Sequence, residues 1–229
     1  MPPTSRFDLV VFDLDGTLAE TRSGICASLG HALAALGREP LAIATVVAYV
    51  GDGARKLVER ALGPGATTAE IERCHELFVA HYLETCVSGS RLYPGVDAML
   101  ERLARWPLAV LTNKPSAAST RVLNGLGIAA AFREVLAGDG PGPRKPDPAG
   151  LFRLVRRWGS TPARALLVGD TSVDVRTARA AGSLVAGALW GFRPGDFATS
   201  RPDWQVADPA SLARLVEEAP PAPGAPSGP

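Results

Sequence analysis

Four short polar clusters hold the residues from which chemistry could be built. Asp13, Asp15 and Thr17 stand together in Asp13-Leu14-Asp15-Gly16-Thr17, and Thr112 and Asn113 follow an apolar run. Lys145 lies in Arg144-Lys145-Pro146-Asp147-Pro148, and Asp170 and Asp174 share Gly169-Asp170-Thr171-Ser172-Val173-Asp174. Several carboxylates, one lysine and hydroxyl or amide donors are the parts needed to hold a hard cation and a phosphoryl group. Each cluster alone has a plain structural explanation. Two aspartates after a strand make a turn, a lysine beside prolines sits in a solvated loop, and an acid early in a helix caps its positive end. Four such coincidences in one chain are a poor account, and chemistry is the better one. His31, His75 and His81 lack the i, i+4 spacing of metal ligands and read as structural or surface residues. No GxxxxGK[ST] loop is present, which argues against a nucleotide-driven motor or switch of the P-loop type.

The clusters must be positioned by something regular. Phe7 to Phe12 is a short apolar run with β-branched valines that ends at a turn, the pattern of a buried strand. The pattern recurs at Leu108–Leu111, Glu134–Ala137 and Ala165–Val168, with a fifth candidate at Leu184–Leu189. Helix-like stretches fall between them: Val96–Trp106, Ser116–Leu126, Pro148–Trp158 and Ser172–Ala181. Such alternation predicts a parallel sheet covered on both faces. Ligands of such sheets bind at the carboxyl ends of the strands beside helix N-termini, so all four clusters can meet on one rim. Residues 19–91 break the alternation. They show helical periodicity at Gly24–Leu36, Arg55–Leu62 and Thr68–Cys86 and no convincing strand, as expected of a helical insertion. Thr67 and Thr68, followed by Glu70 and Glu72, supply an N-cap and an acidic first turn. Residues 219–229 (APPAPGAPSGP) have almost no bulk to offset ordering entropy and are expected to be a disordered tail.

Composition narrows the partners. At 229 residues with a formal net charge of +1, the chain can bury a sizeable core and carries no basic field for nucleic acid or a membrane surface. The start has only a short apolar run broken by aspartates, so neither a signal peptide nor a membrane span is expected, and a cytoplasmic location follows. Cys26, Cys74 and Cys86 form no CxxC pair and read as buried or incidental thiols. Of 24 basic residues only Lys56, Lys114 and Lys145 are lysine. A lysine in so arginine-rich a chain is expected where a compact ammonium is wanted.

In order and spacing, Asp13-Leu14-Asp15-Gly16-Thr17-Leu18, Thr112-Asn113, Lys145-Pro146 and Gly169-Asp170-Thr171-Ser172-Val173-Asp174 resemble the four motifs of the haloacid dehalogenase-like hydrolase superfamily. The resemblance covers residues 6–18 and 92–217, and the insertion looks like that superfamily's first type of cap. The fold class it implies is α/β, a parallel-sheet Rossmann-like core (1–18 and 92–218) with an inserted all-helical cap (19–91). It also implies roles. Asp13 would attack phosphorus and form an aspartyl-phosphate. Asp15 would protonate the leaving oxygen and later deprotonate water, an acid that a dehalogenase does not need. Mg²⁺ would be held by Asp13, the Asp15 main-chain carbonyl and Asp170. Thr112, the Asn113 amide and Lys145 would bind the phosphoryl oxygens, and Asp174 would orient Lys145 or a metal-bound water.

Within the superfamily, Leu36–Pro40, Tyr49–Leu62, Leu92–Val96, Leu111–Pro115 and Arg144–Pro148 resemble bacterial phosphoglycolate phosphatases. Two departures stand out. Ala19-Glu20-Thr21 replaces the valine-aspartate-serine usual in that family, and Gly138–Pro143 is glycine-rich and expected to be looser. The reaction implied is hydrolysis of a small phosphate monoester, 2-phosphoglycolate to glycolate and phosphate. The alternatives are a phosphatase of another small ester (a sugar phosphate or a nucleotide) or of pyrophosphate, a phosphosugar mutase of the β-phosphoglucomutase kind, and a catalytically silent regulator. Arg55 and Lys56, after the flexible Gly51-Asp52-Gly53, are the expected readers of the substrate carboxylate.

Overall fold

The computed structural model describes residues 6–220. Its core is a six-stranded sheet of β1 (Leu9–Phe12), β4 (Leu108–Leu111), β5 (Glu134–Leu136), β6 (Ala165–Gly169), β7 (Leu184–Ala188) and β8 (Trp204–Val206), ordered β5-β4-β1-β6-β7-β8. Every neighbouring pair in it is parallel. The chain runs from β1 outward to β5 on one side, then crosses to β6 on the other. The order therefore reverses at β1, and the crevice at its carboxyl end is where such a sheet binds ligands. Phe12 is level with both Val110 and Val168, which brings the residues after three adjacent strands to one height.

The central strands are buried on both faces, as their unbroken apolar runs require. Val10, Phe12, Val110, Leu166 and Val168 pack on α5 (Val96–Arg102), α6 (Ser116–Gly125) and α9 (Pro209–Glu218). Leu9, Val11, Ala109, Leu111 and Leu167 face α7 (Ala149–Arg157) and α8 (Ser172–Ala181). Odd and even positions of β1 thus serve different layers although both are apolar.

Four helices make up most of the insertion: α1 (Arg22–Ala34), α2 (Ile43–Tyr49), α3 (Ala54–Leu62) and α4 (Thr68–Thr85). Thr67 is the N-cap of α4, in a capping box with Glu70. Caps of this kind contribute about 1 kcal/mol each. The insertion is not wholly helical. β2 (Ala19–Glu20) and β3 (Arg91–Leu92) pair antiparallel where the chain leaves and re-enters the core. Two residues are too few to show an alternating pattern, so the sequence hides this ribbon. It equally hides β8, three residues long, and α2, seven residues long.

β5 differs from its expectation as a buried strand. It lies at the sheet edge with Val135 exposed. The tail is also shorter than expected at its start: Ala219 closes the last turn of α9 and is buried, and residues 221–229 lie outside the described residues. Cys26, Cys74 and Cys86 are free thiols, the last two buried. No described helix is long and apolar enough to cross a membrane.

Candidate active site

Asp13 is the first residue beyond β1, and its N–H donates to the Val168 carbonyl, tying it to β6. Its Oδ1 accepts the Leu14 N–H at 2.7 Å and lies 3.0 Å from Lys145 Nζ. The same ammonium lies 2.7 Å from Asp174 Oδ1. Asp174 is fixed by its place in α8, where it forms a capping box with Thr171 and accepts that hydroxyl at 2.8 Å. Lys145 therefore bridges the loop after β1 and the helix after β6, with only 2% of its side chain exposed. Burial disfavours its charge, but Asp13 and Asp174 hold the ammonium above the usual lysine range.

Asp170 is the first residue beyond β6 and is fully buried. Neutral donors hold it: the Phe192 N–H at 2.7 Å and the Thr17 hydroxyl at 3.2 Å. The chain crowds it closely. A Cβ on Gly16 or on Gly191 would lie 2.2 Å from an atom of its side chain, and Gly16 also takes φ +85. Oxygens of Asp13, Asp170 and Asp174 all come within 4.8 Å of one another. Three carboxylates against the one Lys145 ammonium leave two negative charges unbalanced. Burial pushes the Asp13 carboxyl up to about 6, with Lys145 opposing and Asp174 and Asp15 reinforcing the shift. Burial, then Asp174 and Asp13, push Asp170 well above the carboxylate range. A buried oxygen-rich group with this charge fits a hard divalent cation, which balances the repulsion that otherwise favours protonation.

The Asp15 carboxylate is not part of that group. It turns to the other side, where Oδ1 accepts the Thr21 hydroxyl at 2.7 Å and Lys114 Nζ lies 2.8 Å and 3.1 Å from its two oxygens. Two residues apart in sequence, Asp13 and Asp15 are thus given different partners. Both open on a cavity of about 210 Å³ between the sheet edge and the insertion. Its floor includes Thr112, Asn113 and Thr171; Lys114 and Tyr82 line it beside Asp15, and its apolar wall includes Ile25, Val50, Leu57, Phe78, Val79 and Leu83 from the insertion helices and their connections.

Asn113 is placed at the site with its amide already engaged. Nδ2 donates to the carbonyls of Lys145 and Gly51, both at 2.8 Å, so its side chain joins two core loops to the insertion. Both amide hydrogens are used, which leaves its main-chain N–H to meet an anion. Thr112 accepts the Lys114 N–H at 3.2 Å and keeps its hydroxyl hydrogen for another acceptor.

Arg55 and Lys56 are not brought to this cavity. Arg55 pairs with Glu59 and Glu72, and Lys56 pairs with Glu59 on the solvent side of α3. The loop before them does approach the site: Gly51, Gly53 and Ala54 line it. The helix then turns the two cations outward and sends Leu57 inward, a consequence of 100° per residue that adjacent positions cannot escape. Residues outside the four motifs do stand beside the acid. Lys114, Thr21 and Tyr82 surround Asp15. The available signals were the rarity of lysine in the chain and, for Thr21, a hydroxyl where the family resemblance has serine. His31 and His81 stack on each other at 4.3 Å, and His81 meets Ser28, a structural use.

Residues 7–182 match the family model described as haloacid dehalogenase-like hydrolase. The chain is 38% identical over 209 residues to a phosphoglycolate phosphatase of Yersinia pseudotuberculosis, covering 89% of this chain and 90% of that protein. It is 33% identical over 211 residues to one of Aquifex aeolicus, covering 91% and 96%. Among solved structures, a predicted phosphoglycolate phosphatase from Haemophilus somnus superposes with a TM-score of 0.87 at 32% identity, covering 92% of this chain and 98% of that one.

Proposed function

The chain belongs to the haloacid dehalogenase-like hydrolases, and we propose that it is the member of that family that hydrolyses 2-phosphoglycolate to glycolate and phosphate. The observation that carries this reading is the division of labour between Asp13 and Asp15. One carboxylate is paired with Lys145 beside the acidic group, and the other is turned to the cavity where a leaving group would lie.

Mg²⁺ is the cation that suits the acidic group, with Asp13, Asp170 and the Asp15 main-chain carbonyl to hold it. When bound it supplies the positive charge that lets an ionised Asp13 approach a phosphoryl dianion. Asp13 Oδ then bonds to phosphorus as the bridging P–O bond breaks, and Asp15, which must gain a proton from solvent as the substrate displaces it from Lys114, gives that proton to the departing glycolate oxygen. In the second half Asp15 takes a proton from water, the water oxygen bonds to phosphorus, and the bond to Asp13 breaks to release phosphate. Lys145, held by Asp174, together with the Thr112 hydroxyl and the Asn113 main-chain N–H, stabilises the charge on the phosphoryl oxygens.

The cavity suits a small leaving group. Its volume is below the roughly 300–1,000 Å³ of sites for drug-sized ligands, and its aliphatic and aromatic walls offer few partners to the hydroxyls of a sugar or a nucleoside. The mutase and nucleotidase alternatives are accordingly not favoured. Residues 1–18 and 92–218 serve as the catalytic core in this reading, and 19–91 as a cap that excludes water from the acyl-phosphate. The free thiols agree with a cytoplasmic enzyme.

A panel of phosphomonoesters assayed with Mg²⁺ on wild type and Asp13→Asn tests the reading. Expected are highest kcat/KM for 2-phosphoglycolate, transient phosphate on Asp13 by mass spectrometry, and loss of nearly all turnover in the variant. Near-wild-type turnover by Asp13→Asn sinks the mechanism.

A further inference from the structure

Phosphoryl transfer as described uses one buried lysine, and the site contains two. Lys114 is as deeply buried as Lys145, with 3% of its side chain exposed. Its ammonium lies 2.8 Å and 3.1 Å from the Asp15 oxygens and 2.5 Å from the Tyr82 hydroxyl of α4, over whose ring it also stands. Lys114 is also the one cation among the residues lining the cavity. An ammonium sunk in an apolar cavity loses its hydration and is unfavourable unless an anion faces it. Asp15 supplies that anion when no ligand is present.

The position of Asp15 fixes where a leaving group must begin. The bridging oxygen has to lie within hydrogen-bond reach of the acid that protonates it. In 2-phosphoglycolate a single methylene separates that oxygen from the carboxylate. The carboxylate is therefore carried to the immediate neighbourhood of Asp15, on the cavity side. There the cavity lining includes Lys114 and Tyr82. Arg55 and Lys56 are spent on Glu59 and Glu72 outside.

We propose that Lys114 and Tyr82 together form the subsite that reads the carboxylate of the leaving group, a conclusion that rests on the substrate reading above. Lys114 donates one hydrogen to Tyr82 and has two more, held by Asp15 until the incoming carboxylate takes them. Tyr82, accepting from Lys114, keeps its own hydroxyl hydrogen for the same carboxylate. Burial pushes the Tyr82 phenol up to about 12, so it remains a donor throughout the neutral range. One half of the subsite comes from the core, the loop after β4, and the other from the insertion. It is complete only while α4 is seated on the core, so an ester that carries the carboxylate gains from closure and one that lacks it does not.

The test compares 2-phosphoglycolate with ethylene glycol monophosphate, in which a hydroxymethyl group replaces the carboxylate. Both have alkyl leaving groups, so both need the acid. For Lys114→Met and for Tyr82→Phe, the ratio of the two kcat/KM values is measured against wild type, with near-ultraviolet circular dichroism to verify folding. Loss of a charge-assisted contact is expected to lower that ratio by about 10- to 150-fold in Lys114→Met, and loss of the neutral donor by a smaller factor in Tyr82→Phe. A fall shared equally by both esters, or a ratio that does not move, overturns the subsite. Should Lys114→Met fail to fold, the ratio in Tyr82→Phe decides. A wild type that shows no preference for 2-phosphoglycolate overturns the substrate reading and the subsite with it, whereas a preference that survives in the variants overturns the subsite alone.

Discussion

The Lys145 ammonium lies 3.0 Å from Asp13 Oδ1 while bound to Asp174 at 2.7 Å on its other side. One cation thus balances the nucleophile and is itself aimed by a helix cap. Replacing it has two separable consequences. Lys145→Ala removes a positive charge where charge develops, which is expected to lower kcat by about 10²- to 10³-fold. It also leaves Asp13 and Asp174 facing each other without a counter-ion, at about 3–5 kcal/mol of stability. Steady-state kinetics and urea denaturation read the two. A variant with wild-type kcat would remove Lys145 from the mechanism.

Metal binding should be visible without turnover. The unbalanced charge of Asp13, Asp170 and Asp174 predicts that Mg²⁺ raises Tm of the metal-stripped protein, by an increment equivalent to about 2.7 kcal/mol at a hundredfold excess over Kd. Asp170→Asn should blunt that increment, because its carboxylate is the one held by neutral donors alone. Ca²⁺ should stabilise yet support little hydrolysis, since its larger, flexible shell aligns attack poorly. If Tm is the same with EDTA as with Mg²⁺, the acidic group does not hold the ion.

The insertion helices rest on the core through a handful of polar ties, among them those of Lys114 to the Tyr82 hydroxyl and of the Arg121 guanidinium to the Leu83 carbonyl. Asn113 Nδ2 meets the Gly51 carbonyl at 2.8 Å, and Arg193 Nη1 meets the Ala48 carbonyl at 3.0 Å. Behind them the chain crosses on the two-residue ribbon of β2 and β3. Ties of this kind contribute about 0.5–3 kcal/mol each, the charged donors most. A cap held so lightly is expected to open, and Arg193→Ala should speed limited proteolysis near residues 18–21 and 90–93. Beryllium fluoride with Mg²⁺ should slow it in wild type. Cleavage rates indifferent to both changes would mean the two parts do not move apart.

What could be read in advance follows the range of the determinants. Asp13, Thr112 and Asp170 each directly follow a buried strand, and apolar runs ending at turns are local signals, so their meeting at one rim was legible. Lys145 was legible for the same reason, through its place before α7. Lys114 and Tyr82 were not. Their contact joins residues separated by 32 positions, and nothing in the phase of α4 announces which of its buried residues faces the core. Arg55 and Lys56 show the converse error. The approach of the glycine loop was foreseen, but the outward phase of the helix that follows depends on where Leu57 and Val58 are buried.

The glycine-rich segment after β5, expected to be looser, contains one position that is tight. Gly138 donates its N–H to the Lys114 carbonyl at 2.9 Å, and a Cβ there would lie 2.2 Å from the Asn113 carbonyl oxygen and 2.6 Å from its carbon. Those atoms are main chain and cannot swing aside as a side chain can. Gly138→Ala must therefore push the Thr112-Asn113-Lys114 loop away, which displaces both the anion-binding end of β4 and the Lys114 ammonium. Overpacking of this kind costs about 1–3 kcal/mol. The fall in kcat/KM is expected to exceed what that loss of stability explains, because a loop shifted by a fraction of an ångström misplaces groups that act over hydrogen-bond distances. Gly65→Ala is the control, since a Cβ there meets nothing within 4 Å and needs no left-handed backbone. Denaturation and kinetics on the two variants decide the point. If Gly138→Ala is as active as Gly65→Ala, the close approach of Gly138 to Asn113 has no part in shaping the site.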